Sequence, residues 1–350
     1  MMRHMKLTSG VPLILVSVLL VFATAGWSSA QTADTPKNMV IVGPRAATST
    51  FVFATGIAEM INKYVGIKTV PEPGTMGRNV ILVHKKEVEF GLTNNDRAYF
   101  GVRGEDEYKS LGKMNVRLMF STNSSVPFCF VTRRDANIRS TADLNGKRVM
   151  CLYPGNPAFT KGADIHFEAA GMSRKDVQAI SFTGHVDGDM ALKERRISAY
   201  IHPITITSVS PFLQEMNMDI PIRLVGSPKE KLSAALRKYS YFREDTVPAK
   251  IYGDMVDQRD LPSIGVLEIL ICQAGLSEDL IYKVMKATFE HLPELTLMTP
   301  IAKYWTGAPT SSAILPYHPG AIKFYKEKNL WTEELEKKQK ELLVEVGISK

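Results

Sequence analysis

Apolar positions along this chain fall into two alternating patterns: short unbroken runs, and longer stretches in which apolar residues recur every three or four positions. Asn38 to Val42 (NMVIV) is an unbroken run closed by Gly43-Pro44, as suits a strand covered on both faces of a parallel sheet. The stretch from Val52 to Tyr64 puts Phe53, Ile57, Met60, Ile61 and Tyr64 on one face of a helix. The alternation continues with strands predicted at Lys68–Val70, Val88–Leu92, Arg117–Ser121 and Phe128–Thr132 and a helix near Arg78–His84. A second series begins at Ser140. Ser140–Leu144 reads as a helical turn closed by Gly146, Lys147–Leu152 as a strand, Pro157–Ala170 as a helix stopped by Gly171, and Ser173 as the cap of another short turn. Strands at Gln178–Phe182, Ile197–Ile201 and Ile222–Val225 then alternate with helices near Asp187–Arg195, Thr207–Met216 and Pro228–Lys238. A third series has an apolar run at Ile264–Cys272, then a helix capped by Ser277 with Glu278 and Asp279 in its first turn, where carboxylates suit the helix dipole. A last helix covers Thr332–Val346. The pattern is α/β, read as two lobes of open sheet.

One apolar run stands outside the alternation. Val11–Ala25 follows a basic start (Arg3, His4, Lys6) and precedes Ser28-Ser29-Ala30, with small residues where a peptidase would cut. These features predict a signal peptide over residues 1–30, cleaved near Ala30, and a periplasmic location. The run is shorter than the ~20 residues a membrane-crossing helix needs, although an uncleaved anchor is the alternative. Either outcome places the rest of the chain outside the cytoplasm, away from ATP and intracellular cofactors. No second run is long enough to span a membrane, so the mature chain is expected to be soluble. Its length suggests two domains, and 45% hydrophobic with 23% charged residues is ordinary for a globular chain with a full core.

Charge and cysteine content change this picture little. Losing Arg3 and Lys6 with the leader takes the formal charge from +7 to +5. The excess is spread out, with no basic block interleaved with aromatics, so nucleic-acid binding has no support. The field could gather anionic solutes or simply keep the chain soluble. Cys129, Cys151 and Cys272 sit in apolar stretches without CxxC spacing, which suits buried thiols. One disulfide is compatible with export.

Familiar catalytic patterns are missing: no Gly-x-Ser-x-Gly elbow, no phosphate-binding Gly-x4-Gly-Lys-Ser/Thr loop, no His-Glu-x-x-His. His166 and Glu168 would point apart on a helix. His185, Asp187 and Asp189 form the best metal candidate, but the two aspartates are better read as opening the helix that follows, so no metal and no cofactor are expected. What recurs instead is neutral polar chemistry where strands run into helices. Gly43-Pro44-Arg45-Ala46-Ala47-Thr48-Ser49-Thr50-Phe51 leads three hydroxyls into a helix start, either as a solute site or as plain N-capping. Pro73–Asn79, Asn94-Asn95-Asp96 and Pro154-Gly155-Asn156-Pro157 are similar turns. Ligands of open α/β sheets sit beyond the carboxyl ends of the strands, so these turns describe a cleft.

These residues carry a resemblance. The segment Gly43…Thr48-Ser49-Thr50-Phe51…Gly56, the run Phe90–Asp96, the run Ser140–Val149 with Pro154-Gly155, then Val247-Pro248, Tyr252, Leu276–Tyr282, His318-Pro319-Gly320-Ala321 and Tyr325 together resemble the TAXI-type solute-binding subunits of TRAP transporters. The resemblance spans roughly residues 39–347. It implies a periplasmic-binding-protein type II fold, two open-sheet lobes joined by a hinge with a ligand cleft between them. It implies a binder and not an enzyme, capturing a small organic solute, a carboxylate or amino-acid-like anion, and delivering it to TRAP permease subunits as a monomer. A solute sensor docking on a membrane receptor, or an enzyme on the same scaffold, are the alternatives. Lobe 1 is expected over residues 38–127 and 261–330, lobe 2 over 128–260, and a C-terminal helix over 331–350. Thr48, Ser49, Thr50 and Phe51, with Thr75, Asn79 and Asn95, are expected on one wall, and Asn156, Ala158, His202 and Thr205 on the other. Tyr252 either covers the pocket or packs between lobes, and His202 either contacts solute or makes a local hydrogen bond. Two turns depart from the family pattern: Pro44, Arg45, Ala46 and Ala47 replace a glycine-rich stretch, and Asn156-Pro157-Ala158 replaces small hydroxyl residues. Arg45 either restores the lost contacts as a charged fork or points to solvent.

Overall fold

The computed structural model of the chain describes residues 36–46, 48–154, 156–183 and 185–347, with His185 described in its backbone alone. The expected leader with its cleavage point at Ala30, Ala47 and Gly155 of the two polar turns, the His185 side chain of the metal candidate, and the last three residues of the 331–350 segment lie outside the described residues.

In chain order the strands are β1 (Asn38–Gly43), β2 (Lys68–Pro73), β3 (Phe90–Asn94), β4 (Val116–Arg133), β5 (Arg148–Leu152), β6 (Gln178–Ser181), β7 (Ala199–Pro203), β8 (Ile222–Val225), β9 (Arg243–Val247) and β10 (Leu261–Gln273). The helices are α1 (Ser49–Tyr64), α2 (Met76–His84), α3 (Asn95–Arg103), α4 (Pro157–Ala169), α5 (His185–Lys193), α6 (Pro211–Asp219), α7 (Lys229–Leu236), α8 (Ala249–Tyr252), α9 (Glu278–Phe289), α10 (Leu292–Met298), α11 (Pro319–Glu327) and α12 (Glu333–Glu345). The strands form one mixed sheet in the order β2-β1-β3-β10-β4-β7-β5-β6, with β8 beside β4 and β9 beside β10. Each end of the sheet is parallel and built by helical crossovers: β1 with β2 and β3, and β5 with β6 and β7.

β4 and β10 join the two ends. Antiparallel to each other, each also belongs to both half-sheets. β10 pairs with β3 through Glu268–Cys272 and with β9 through Leu261–Gly265. β4 pairs with β7 through Phe128–Thr132 and with β8 through Phe130–Arg133. The sequence predicts two strands here, Arg117–Ser121 and Phe128–Thr132, with a polar break between. The structure has a single strand of 18 residues. Ser121-Thr122-Asn123-Ser124-Ser125 lacks an apolar alternation, yet its backbone stays against β10: Ser121 pairs with Ile269 and Ser125 with Leu267, leaving the three residues between them opposite Glu268 alone. The irregularity is a β-bulge, which bends a strand and re-aims its side chains. Pro127 is tolerated next to it, opposite Gly265. Gly265 lets the two strands touch: a Cβ there would meet Ser125 Oγ at 2.4 Å and the Val126 carbonyl at 2.6 Å.

Other differences are shifts and omissions. β3 and β7 start about two residues later than predicted, and α6 starts at Pro211 because Ser210 caps it (Leu213 N to Ser210 Oγ, 3.3 Å). The Ser277 cap is as predicted, accepting from Leu280 N at 3.2 Å. β9 (REDTV) has too little apolar content to announce itself, and its pairing with β10 makes it a strand. One continuous core runs through both half-sheets, with Phe53 stacked on Trp305 at 4.4 Å in the first half and Phe128, Phe130 and Tyr200 in the second. Cys129, Cys151 and Cys272 are free and buried, and burial pushes all three thiols up. The described residues hold no helix long and apolar enough to cross a membrane.

Candidate functional site

A cleft of about 200 Å³ opens where the carboxyl ends of the two half-sheets meet. From the first half come Ser49 and Thr50 at the start of α1, Glu268 of β10, and Ile301, Tyr304 and Trp305. The β4 bulge contributes Thr122 and Ser124, with Ser125 and Val126 next to it. The segment leaving β7, Ile204 to Thr207, closes the far side.

Glu268 is the one carboxylate among the described lining residues. Its Oε1 accepts from Thr50 Oγ1 at 2.9 Å, the only side-chain partner it has among the described residues. Thr122 Oγ1 reaches its main-chain carbonyl at 3.3 Å and not its carboxylate. Desolvation pushes the Glu268 carboxyl above its ordinary range, against the single hydrogen bond from Thr50. No Lys, Arg or His lies among the described lining residues. A second carboxylate, Asp245 of β9, is hydrogen-bonded to Ser125 Oγ.

The predicted wall residues divide into three groups. Ser49, Thr50 and Thr205 line the cleft. Several others carry structural hydrogen bonds. Thr48 caps α1, accepting from Phe51 N at 3.1 Å. Asn79 is 0% exposed and its Nδ2 donates to the carbonyls of Gly43 and Leu92, at 2.9 and 2.8 Å, binding α2 to β1 and β3. Asn95 Oδ1 accepts from Leu267 N at 3.0 Å, docking α3 on β10. Tyr252 is not on the cleft lining: its hydroxyl donates to the Thr205 carbonyl at 2.7 Å, pinning the segment whose other side is cleft wall. The rest stand apart from the lining. Arg45 and Thr75 are exposed, Phe51 packs under Gly43, and His202 is buried beside Tyr200 and Phe212.

Asn156 and Ala158 belong to a second contact between the halves. Asn156 caps α4 through Ala158 N at 3.2 Å, and the same Oδ1 accepts from Arg97 Nη2 of α3 at 3.1 Å. Arg97 is 2% exposed and also holds Glu107 at 2.6 Å and Asp96 at 3.4 Å. Burial raises the Asp96 carboxyl and outweighs the adjacent guanidinium, which lowers it. A further buried group marks the crossing strands. The Phe128 carbonyl accepts from Ser263 Oγ at 2.6 Å and His166 Nε2 at 2.7 Å, and burial pushes His166 down to about 4, so it is a neutral donor.

The sequence-level metal candidate is taken up otherwise. Asp187 accepts from Thr183 N at 3.0 Å, and Asp189 is hydrogen-bonded to the buried Tyr200 hydroxyl. Glu168 turns to Lys238, away from His166. Among the described residues no three His, Cys, Asp or Glu side chains are placed to share a metal ion. What sequence reading missed is Glu268, the bulge hydroxyls, Tyr304 and Trp305. The single signal for Glu268 was a lone acid inside an otherwise apolar strand (IGVLEILIC).

A mixed sheet in two halves sharing two long strands, with a cleft at their carboxyl ends, is the fold of the type II periplasmic binding proteins. The chain belongs to the NMT1-like family, which it matches over residues 44–328. Among solved structures it is similar to a putative sulfonate ABC transporter periplasmic sulfonate-binding protein from Methylobacillus flagellatus, at 13% identity over 89% of this chain and 88% of that one, with a TM-score of 0.50. It is also similar to the periplasmic aliphatic sulphonate-binding protein of Escherichia coli, at 11% identity over 87% of this chain and 92% of that one, with a TM-score of 0.49. At such identities the likeness is one of fold alone.

Proposed function

We propose that this protein is an extracytoplasmic solute-binding protein that holds a small organic solute between two lobes and releases it chemically unchanged to a membrane permease. The observation that carries this reading is the cleft between the half-sheets, walled by hydroxyls, one carboxylate and aromatic residues, a mix that suits recognition of a small polar molecule. The lobes are residues 38–127 with 261–330, and residues 128–260. Their hinge is the pair β4 and β10, which alone among the strands belong to both halves. Ligand contacts to Ser49, Thr50 and Glu268 on one side and to Thr205 to Thr207 on the other would favour the closed arrangement.

The finer reading is a TAXI-type subunit of a TRAP transporter, exported to the periplasm by the leader and working as a monomer. It rests on the sequence resemblance, and the NMT1-like membership and the fold are compatible with it. The lining favours binding over catalysis: among the described residues it offers no Cys, His or Lys as nucleophile or base, and its hydroxyl–carboxylate contacts, Thr50 with Glu268 and Ser125 with Asp245, have no histidine between them.

The test is a thermal-shift screen of small organic acids, amines, amino acids and sugars on the purified mature chain. Calorimetry and mass spectrometry of the recovered ligand follow. A saturable ligand recovered unaltered is expected. Conversion of the ligand, or no stabilisation by any member of a broad panel, overturns the reading. Uptake by vesicles carrying a TRAP permease, dependent on added protein, checks the transport assignment.

A further inference from the structure

Resting on the solute-binding reading, the lining of this cleft also specifies the charge of what it holds. We propose that the solute presents a protonated amine, seated on the Glu268 carboxylate. The family resemblance pointed to organic anions, and the wall does not provide for one. Carboxylates, sulfonates and phosphates are normally gripped by Arg or Lys, and the described lining residues include neither. It does have a carboxylate inside an apolar strand, with one neutral hydroxyl as partner. A charge in such a place is ordinarily paired. The groups packed round Glu268 leave the pairing position open: Thr50 from α1, Thr122 from β4, and Asn94 as its register partner on β3 are all neutral. Tyr304 is the only other titratable side chain among the described lining residues. The exposed Lys303 sits over the Tyr304 ring at 5.1 Å.

The geometry suits an ammonium in a second respect. The β4 bulge directs Thr122 and Ser124 into the cleft opposite Glu268. Hydroxyl oxygens accept hydrogen bonds as well as donate them, so the three N–H donors of a primary ammonium can find Glu268 and two hydroxyl oxygens. An anion in the same place would find hydroxyls and the first main-chain N–H groups of α1 as donors, but no Lys or Arg among the described lining residues, and would face the Glu268 carboxylate.

The experiment uses three series on one carbon skeleton: primary amines of two to six carbons, the corresponding carboxylates, and the neutral alcohols. Each is titrated into wild-type protein and Glu268→Gln, followed by thermal shift and calorimetry. Amines are expected to bind wild type and to lose on the order of 10- to 100-fold in affinity in Glu268→Gln, the fold-change of a charged hydrogen bond. If carboxylates or alcohols bind and Glu268→Gln leaves their affinity intact, the inference fails while the solute-binding reading stands. If no series binds, the inference fails, and the broader panel above decides whether the solute-binding reading falls with it. Should Glu268→Gln not fold, wild type alone suffices. Amine affinity must rise between pH 4 and pH 9 as the carboxyl ionises, and a flat profile overturns the proposal.

Discussion

Two ionisable side chains sit where the half-sheets meet, and they are treated in opposite ways. Arg97 is almost fully buried and is held by Glu107, Asp96 and Asn156, the last from the other half. Glu268 lines an open cleft and, among the described residues, has the Thr50 hydroxyl as its one side-chain partner. A charge surrounded by fixed partners stabilises one arrangement of the chain. A charge left with a single neutral donor, at a position water or a solute can reach, costs stability until something pairs with it. The contrast separates the buried junction from the open cleft more sharply than residue type does, since polar groups crowd both places.

The sharpest way to break the comparison is Arg97→Met. It strands the Asp96 carboxylate in the interior, and losing one member of a buried ion pair costs about 3–5 kcal/mol. Guanidinium unfolding at neutral pH should show that loss, and a cost below about 1 kcal/mol would mean that Arg97 is not structural. Gly265→Ala comes next. The new Cβ would press on Ser125 and Val126 where β4 and β10 touch, an overpacking cost of about 1–3 kcal/mol. Because Ser125 borders the cleft, solute affinity should fall with it, and unchanged affinity would detach the strand crossing from the site.

Neighbouring hydroxyls sharpen the same contrast on a smaller scale. Thr48→Ala removes the α1 cap and should lower stability by about 1 kcal/mol with no change in solute affinity. Thr50→Val removes the Glu268 partner and should act mainly on affinity. Calorimetry beside thermal unfolding of both variants distinguishes the two roles, and equal effects on affinity would merge them.

The last effects are read as slopes with pH. Burial raises the Glu268 carboxyl, so the folded state holds that proton more tightly than the unfolded chain. Its contribution is therefore most favourable below the ordinary glutamate range and is lost as pH rises through the raised value. Glu268→Gln should match wild type in acid and gain stability on it with rising pH, where Arg97→Met is destabilised throughout. Asp189 behaves alike: burial pushes it up to about 6, against the Tyr200 hydroxyl. Asp189→Asn should flatten the decline in stability between about pH 4 and pH 6, read from chemical unfolding at several pH values. An unaltered slope would show that Asp189 does not titrate in that window.

Local pattern was enough for most elements. The runs NMVIV and IGVLEILIC, the face of Phe53, Ile57, Met60 and Ile61, and the Ser277 cap are settled by neighbours a few residues apart, and the structure has them. The α/β class was legible for the same reason. The bulged middle of β4 was not, because Ser121 to Ser125 become strand only through the backbone of β10, about 145 residues on, and no side-chain period reports that pairing.

The site was legible only in part. Ser49, Thr50 and Thr205, expected on the walls from their place at the ends of strands, line the cleft. Asn79, Asn95 and Tyr252 have the same chemistry, yet their hydrogen-bonding capacity goes to main-chain groups that the sequence does not bring near them. Glu268 and Thr50 lie 218 positions apart and meet only when β10 is laid beside β3 and α1 packs above. The sequence by itself therefore determined which segments are strand or helix, because periodicity and capping act within a few residues. The tertiary structure decided which polar groups are satisfied and which face the cleft, because hydrogen-bond partners and desolvation are properties of segments brought together from across the chain.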